Sequence, residues 1–307
     1  MSGWLGRGVA AARIGVERPE LWIPGALASL LFAGWSPFVV AVVPLPGAAD
    51  LAFFGADLYS SSRWPANLLA LVAGVLLLLL AVSVLVALAE SALLRRLRLL
   101  RGLDTLRPLP DEARRLWGAQ LLAALPAMAA ATAVLIGLAA VAPAEYQSPD
   151  IGGTLAVRIT RDLLPMLALL ALAVIVGQTV GAAATHRVVG NREPVAASLR
   201  AALREVTRAP LRLLATAVVT LLAQGAALLL AALLLGVLWS PIRLQLASGQ
   251  LGGAPTLLLV GFVAIWLCLL VGAGALHAWA SAWWSLELEP PQRREAEPPS
   301  PMEDQAQ

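Results

Sequence analysis

Six long apolar runs, joined by loops that alternate between arginine-rich and arginine-poor, constrain this chain more than any other feature. A helix needs roughly 20 residues to cross the hydrocarbon of a bilayer, where no solvent satisfies a free backbone group. We therefore predict an all-α polytopic membrane protein with six transmembrane helices, called spans 1 to 6. The spans cover approximately Leu21–Val43, Leu68–Leu94, Leu116–Val141, Leu163–Val189, Pro210–Trp239 and Thr256–Leu286. Spans 1 and 3 are expected to kink at prolines, namely Pro24, Pro37 and Pro126.

The composition fits this class and excludes a soluble domain. Charged residues make up 13% of the chain and the mean hydropathy is +0.79, whereas soluble domains carry about 25% charged residues. The net charge of +3 comes from arginines that flank the spans. Contact with anionic lipid headgroups explains that placement, so no nucleic-acid partner is expected.

The arginines also predict the orientation of the spans. Most of them precede span 1, lie between spans 2 and 3 or 4 and 5, or follow span 6. The other three loops hold only Arg63, Arg158, Arg161 and Arg243. Because arginine-rich loops stay in the cytoplasm, we expect both termini there, with the protein in a bacterial cytoplasmic membrane. Span 1 is about twice as long as the core of a signal peptide and is expected to be an uncleaved anchor.

The predicted membrane domain, residues 1–288, is interpreted as three tandem hairpins, each preceded by a cytoplasmic elbow helix. The odd-numbered spans open at nearly equal spacing, at Trp22, Trp117 and Leu213. The ends of the even-numbered spans align as Val84–Glu90, Val180–His186 and Val271–His277. Recurrence at a fixed spacing indicates internal repeats, here residues 1–103, 104–190 and 191–288. Residues 289–307, rich in Pro and Glu, are expected to form a disordered cytoplasmic tail.

The loop between spans 4 and 5 carries the clearest elbow. Its apolar side chains recur at helical spacing, namely Val195, Leu199, Ala202, Leu203 and Val206. Three arginines lie on the opposite face of such a helix, namely Arg200, Arg204 and Arg208. This pattern predicts an amphipathic helix on the cytoplasmic surface, with its arginines directed at water and lipid phosphates. Span 2 is expected to continue through Ser91–Arg101 and to end at Gly102, and the N-terminal segment predicts a weaker elbow.

Three ionisable residues near the cytoplasmic ends of the even-numbered spans are the sharpest site candidates. The repeat places Glu90, His186 and His277 at equivalent heights. If the spans converge, these side chains have the chemistry to bind a transition metal or relay a proton. Alternatively, each reaches interfacial water on its own, or Glu90 pairs with Arg95 or Arg187. The second interpretation is favoured, because ionisable residues mark sites chiefly when they lie deep in the membrane. We therefore expect no bound metal and no other cofactor.

Two amides and several glycines lie within the spans. Gln178 and Gln224 either join helices by hydrogen bonds, which is the commoner role, or line a polar path. Residues 177–181 form a GxxxG motif that permits close helix approach, and Gly272 and Gly274 in span 6 are expected to do the same.

No sequence pattern identifies a reaction. The chain has no P-loop, no dinucleotide-binding glycine motif, no Gly-x-Ser-x-Gly elbow and no His-Glu-x-x-His motif. Cys268 is the only cysteine, which excludes an intrachain disulfide and a cysteine metal cluster. It is expected to be a small buried hydrophobe. We therefore predict a protein that is not an enzyme, and the lack of paired acidic residues within the spans disfavours active transport.

A broad group of uncharacterised bacterial membrane proteins resembles this chain in its six-span layout and in one polar elbow, Asn191-Arg192-Glu193-Pro194-Val195-Ala196-Ala197-Ser198-Leu199-Arg200-Ala201-Ala202. In this respect the chain is similar to the membrane domain that is fused to some glycerophosphodiester phosphodiesterases. The resemblance covers most of the chain and implies the fold. These 307 residues hold no phosphodiesterase portion, so no catalytic residue is carried over.

We interpret the protein as a non-enzymatic scaffold that organises lipids or a partner complex in the cytoplasmic membrane. The small number of polar residues within the spans and the basic elbows beside the inner leaflet favour this function. The expected partners are the bilayer, anionic lipid headgroups at Arg200, Arg204 and Arg208, and a membrane protein or a second copy of the chain. The alternative is a permease or channel-like transporter whose path is lined by polar residues of the spans, namely Glu90, Gln178, His186, Gln224 and His277.

Overall fold

The structure is a computed structural model that describes residues 2–43, 60–63, 65–102, 111–147, 154–247 and 253–288. Those residues form helices and connecting turns, with no strand among them. The helices of this part are α1 Ser2–Glu17, α2 Trp22–Ser29, α3 Ser36–Val42, α4 Ala66–Leu100, α5 Glu112–Gln147, α6 Leu155–Asn191, α7 Val195–Arg208, α8 Pro210–Ala247 and α9 Gly253–Glu287. The predicted all-α class is confirmed for the described residues. The predicted tail 289–307 lies outside them, as do residues 103–110 before span 3.

Five of these helices are long and apolar enough to cross a membrane. The apolar stretches are Leu69–Leu100 in α4, Glu112–Leu138 in α5, Val157–Asn191 in α6, Pro210–Ala247 in α8 and Thr256–Glu287 in α9. Each stretch overlaps one of the predicted spans 2 to 6. Their length follows from uninterrupted leucine, alanine and valine, most of which favour helix and none of which adds a polar group. In length and composition these helices fit a helical membrane protein.

The predicted span 1 is two short helices rather than one continuous α-helix. A π-helical turn at Leu30–Gly34 separates α2 from α3. The interruption comes just before Pro37, which has no N–H to donate to the carbonyl of Ala33. The hydroxyl of Ser36 donates to that carbonyl instead, at 2.7 Å. Pro37 therefore marks a real distortion, whereas α5 continues unbroken past Pro126.

Most of the buried core lies at the end of the bundle where α1, α7 and the last turns of α4, α6 and α9 meet. We call this the arginine-rich end. One buried cluster joins Leu94, Leu116 and Val188, on α4, α5 and α6, to Ala202 on α7. A second cluster joins α1 and α4 to α9. A smaller cluster joins α3, α8 and α9 at the opposite end.

Helix α1 packs against the end of α9, where the sequence predicted only a weak elbow. The ring of Trp4 lies 5.1 Å from that of Trp283, and its indole N–H donates to the Thr216 hydroxyl at 2.9 Å. Trp279 donates to the carbonyl of Gly8 at 3.2 Å. Aromatic contacts thus contribute to this packing, although α1 carries no regular apolar stripe.

Helix α7 and the end of α4 agree with the sequence-based expectations, except that Leu203 of the predicted apolar face is exposed. Helix α7 buries Ser198 and Ala202 against the bundle and leaves Arg200, Arg204 and Arg208 exposed. Helix α4 runs to Leu100, and Gly102 follows with φ of 64°. Glycine adopts this left-handed conformation without steric penalty, which is why it commonly ends helices.

Two glycine positions explain the closest helix contacts. A Cβ on Gly25 of α2 would overlap the carbonyl oxygen of Gly274 of α9, and a Cβ on Gly274 would lie 2.5 Å from the carbonyl oxygen of Trp22. A Cβ on Gly177 of α6 would lie 2.8 Å from the carbonyl oxygen of Ala123 of α5. The GxxxG motif and Gly274 therefore permit close approach, as predicted. Gly272 does not, because a Cβ there would meet no atom within 4 Å.

The half of α4 that lies away from the arginine-rich end stands apart from the bundle. Every described side chain from Leu69 to Leu80 is exposed. In a membrane such a helix faces lipid on all sides, which its purely aliphatic side chains allow.

Candidate functional site

Glu90 and His277 meet in the interior of the bundle. Glu90 lies on α4 and His277 on α9, and the imidazole Nε2 is 2.7 Å from the carboxylate Oε2. The His277 and Glu90 side chains are 24% and 13% exposed. The alternative pairings of Glu90 with Arg95 or Arg187 do not occur, because those arginines bind Glu112 and Glu205.

Two further side chains complete a polar layer across three helices. The hydroxyl of Ser281, one turn beyond His277 on α9, donates to Glu90 Oε1 at 3.3 Å. The amide Nε2 of Gln224 on α8 lies 3.4 Å from His277 Nδ1. An imidazole with its hydrogen on Nε2 satisfies both contacts, since it donates to Glu90 and accepts from Gln224. We call these four residues the polar layer from here on.

His186 approaches the polar layer without joining it. It lies on α6, close enough to Glu90 for the two side chains to interact electrostatically. No hydrogen bond links them within the described ranges. Among the residues that the structure describes, no group of three His, Cys, Asp or Glu side chains is arranged to hold a metal ion. The geometry thus offers a hydrogen-bonded acid–imidazole pair, and no three-ligand metal site in these ranges.

Gln178 lies apart from the layer. It is exposed on α6, whereas its neighbour Thr179 is buried and donates to the carbonyl of Ile175 at 2.7 Å. No hydrogen bond joins Gln178 to Gln224 or Glu90 among the described residues. The sequence placed both amides within spans but did not determine which face of each helix they occupy.

Glu287 is the centre of an ionic cluster at the arginine-rich end. Its side chain is fully buried and receives two bonds from Arg7 of α1, at 2.6 and 3.1 Å. Arg212 of α8 lies 3.0 Å from the same carboxylate. Glu287 thus ties α1 and α8 to the last turn of α9. Sequence reasoning missed this cluster, because its members lie far apart in the chain.

Other arginines at this end also bind within the protein. Arg95 pairs with Glu112 at 2.5 Å, which connects α4 to the start of α5. Arg101 donates to the Ser285 hydroxyl at 2.8 Å. At the start of α5, the hydrogen bond from Arg115 holds the pKa of Asp111 below its usual value. Several of the arginines between spans 2 and 3 therefore bind within the protein rather than being free to contact lipid.

The arginines on the exposed face of α7 differ from those described above. The only acidic residue of α7, Glu205, turns inward and pairs with Arg187 of α6 at 2.6 Å. Arg200, Arg204 and Arg208 point outward, and none of them has a carboxylate within ion-pair distance in the ranges described. The apolar face of the helix is fixed on the buried core. Three cationic side chains therefore lie on one outer surface with no acidic partner among the residues that the structure describes.

Comparisons with protein-family models, with curated proteins and with solved structures found no match to this chain.

Proposed function

We propose that the protein is a non-enzymatic membrane protein that organises anionic lipids, with the basic face of α7 as its headgroup-binding surface. The proposal includes six spans, with α2 and α3 together as the first, and both termini in the cytoplasm of a bacterial cell. The observation that carries it is the contrast between the arginines of α7 and the other arginines at the same end. Arg7, Arg95, Arg187 and Arg212 bind carboxylates and Arg101 binds a hydroxyl. No carboxylate among the described residues lies within ion-pair distance of the α7 arginines, which leaves them available to phosphates.

The physical basis is the attraction between arginine and phosphate. One guanidinium group can donate two parallel hydrogen bonds to the oxygens of a phosphate, and this bidentate contact is both stronger and better oriented than a single bond. Each basic residue near an anionic membrane surface contributes about 1 kcal/mol to attraction. Because the apolar face of α7 is already packed against the bundle, the arginines are held in position before a lipid binds. A surface whose arginines are already in position favours anionic headgroups over neutral ones.

Removal of the three α7 arginines is expected to weaken binding of phosphatidylglycerol by about 100-fold. Each arginine contributes about 1 kcal/mol to the binding free energy, and about 1.4 kcal/mol corresponds to a tenfold change in affinity. The variant is Arg200→Gln, Arg204→Gln and Arg208→Gln in the full chain. Native mass spectrometry of detergent-solubilised protein, titrated with phosphatidylglycerol and with phosphatidylcholine, measures the affinity for each lipid.

The matched control removes the same charge from the opposite end, at Arg63, Arg161 and Arg243, which are also exposed. It should leave phosphatidylglycerol affinity unchanged. Equal losses in both triple variants would show that only net charge matters, and no loss in the α7 variant would exclude this surface as the headgroup site.

A second function is supported by the polar layer. Glu90, His277 and Gln224 join three helices within their apolar stretches, and such groups mark solute or proton paths in transporters. A permease or channel-like transporter is therefore the alternative, and solute flux through the native chain and its Glu90 and His277 variants distinguishes the two functions.

A further inference from the structure

An apolar cavity lies midway along the bundle, beside the interruption in the first span. Its volume is about 330 Å³. Gly34 and Pro37 form one wall, α8 contributes Ala231, and α9 contributes Trp266 and Leu270. This volume lies at the lower end of the range of small-molecule sites, about 300–1,000 Å³.

Small side chains and the π-helical turn create the space. Ala227 and Ala231 on α8 face Gly272 and Ala273 on α9 across the cavity. A Cβ on Gly272 would meet no atom within 4 Å. The turn Leu30–Gly34 ends at the cavity wall, and π-helical turns occur frequently at functional sites because they are costly to form.

The cavity opens sideways from the bundle. Leu230 and Leu234 line it and are 65% and 44% exposed. Cys268 also lines it and is exposed, contrary to the expectation that this cysteine is buried. These residues lie in the middle of α8 and α9, so the opening faces the hydrocarbon of the bilayer.

The polar layer lies just below the cavity, toward the arginine-rich end. Leu228 on the cavity wall is one helical turn from Gln224, and Ala273 is one turn from His277. One turn of helix spans about 5.4 Å. The cavity thus has an apolar body and a polar group close to one end.

Size and lining together define the occupant. The lining is almost entirely apolar, so a polar solute would lose its hydration without gaining hydrogen bonds. A helix of a partner protein, about 10–12 Å in diameter, is too wide for this volume. A flexible hydrocarbon chain fits both constraints and is present at the opening in any bilayer.

We propose that this cavity binds one apolar chain of a membrane lipid, inserted between α3, α8 and α9. Filling the space restores the van der Waals contacts that its walls otherwise lack. The proposal rests on the membrane setting of the proposed function, but it does not involve the arginines of α7. It adds a chain-binding site to the headgroup surface of the proposed function.

The test uses the full chain in vesicles of phosphatidylcholine that carry a photoreactive group on one acyl chain. Crosslinked residues are located by peptide mass spectrometry. We expect crosslinks concentrated at residues 227–234 and 266–273. Gly272→Leu places a side chain in the cavity and is expected to abolish them, and Cys268→Phe fills the same space from the opening.

The matched control is Gly261→Leu, on the same helix, where a Cβ also meets no atom within 4 Å and which does not line this cavity. It should leave the crosslinks intact, as should the triple arginine variant of α7. Unchanged crosslinks in both cavity-filling variants would overturn the proposal. Crosslinks that are as frequent along the exposed half of α4 as at the cavity would also overturn it. Because the vesicles are neutral, loss of headgroup selectivity does not affect this result.

Discussion

Replacing Glu287 by alanine is expected to lower the free energy of unfolding by about 3–5 kcal/mol, the range observed when one partner of a buried ion pair is removed. Glu287 is fully buried and neutralises both Arg7 and Arg212. Without the Glu287 carboxylate, the positive charges of Arg7 on α1 and Arg212 on α8 repel each other beside the end of α9. Reversible unfolding in mixed detergent micelles, followed by tryptophan fluorescence, measures the change.

Glu20→Ala is the control for this prediction. Glu20 lies 3.9 Å from Arg18, and both side chains are more than a third exposed. Exposed pairs contribute about 0–1 kcal/mol, since water and salt screen them. A loss for Glu287→Ala no greater than that for Glu20→Ala would mean that the ionic cluster does not hold the arginine-rich end together.

The second large effect is energetic coupling between Glu90 and His277. A double-mutant cycle with Glu90→Ala and His277→Ala should yield a coupling energy of about 1.5–3 kcal/mol, typical of a hydrogen bond to a charged group. The parallel cycle of Glu90→Ala with His186→Ala should yield a clearly smaller coupling energy, because no hydrogen bond joins that pair and only their electrostatic interaction remains. Equal coupling in the two cycles would contradict the geometry of the polar layer.

The same variants decide between the two functions. If the polar layer only joins helices, ion and solute flux through reconstituted liposomes stays at background for the native chain and for all variants. Flux through the native chain that His277→Ala abolishes and His186→Ala preserves would establish the permease alternative instead.

Periodicity predicted the helical class and α7, because both depend on local patterns. The apolar residues from Val195 to Val206 recur along one face, and α7 spans Val195–Arg208. The long apolar runs likewise correspond to α4, α5, α6, α8 and α9. In each case the signal lies within one segment and needs no knowledge of its neighbours.

Contacts between segments were predicted less well, since they depend on how each helix is rotated. Gly272 and Gly274 looked equivalent, but only Gly274 faces α2. Cys268 was expected to be buried and is exposed. In a membrane, lipid-facing and protein-facing surfaces are both apolar, so hydropathy does not distinguish them. The Glu90 and His277 contact required the packing of α4 on α9, and the sequence offered it only as one of two alternatives.

The most direct test of the central claim is the side of the membrane on which α7 lies. Two single-cysteine variants in a Cys268→Ser background suffice, namely Thr207→Cys on α7 and Ser62→Cys before α4, both at exposed positions. An impermeant maleimide added to intact cells should label Ser62→Cys and should label Thr207→Cys only after the membrane is permeabilised. Labelling of Thr207→Cys in intact cells would place the arginines of α7 outside and contradict their proposed role at the cytoplasmic leaflet.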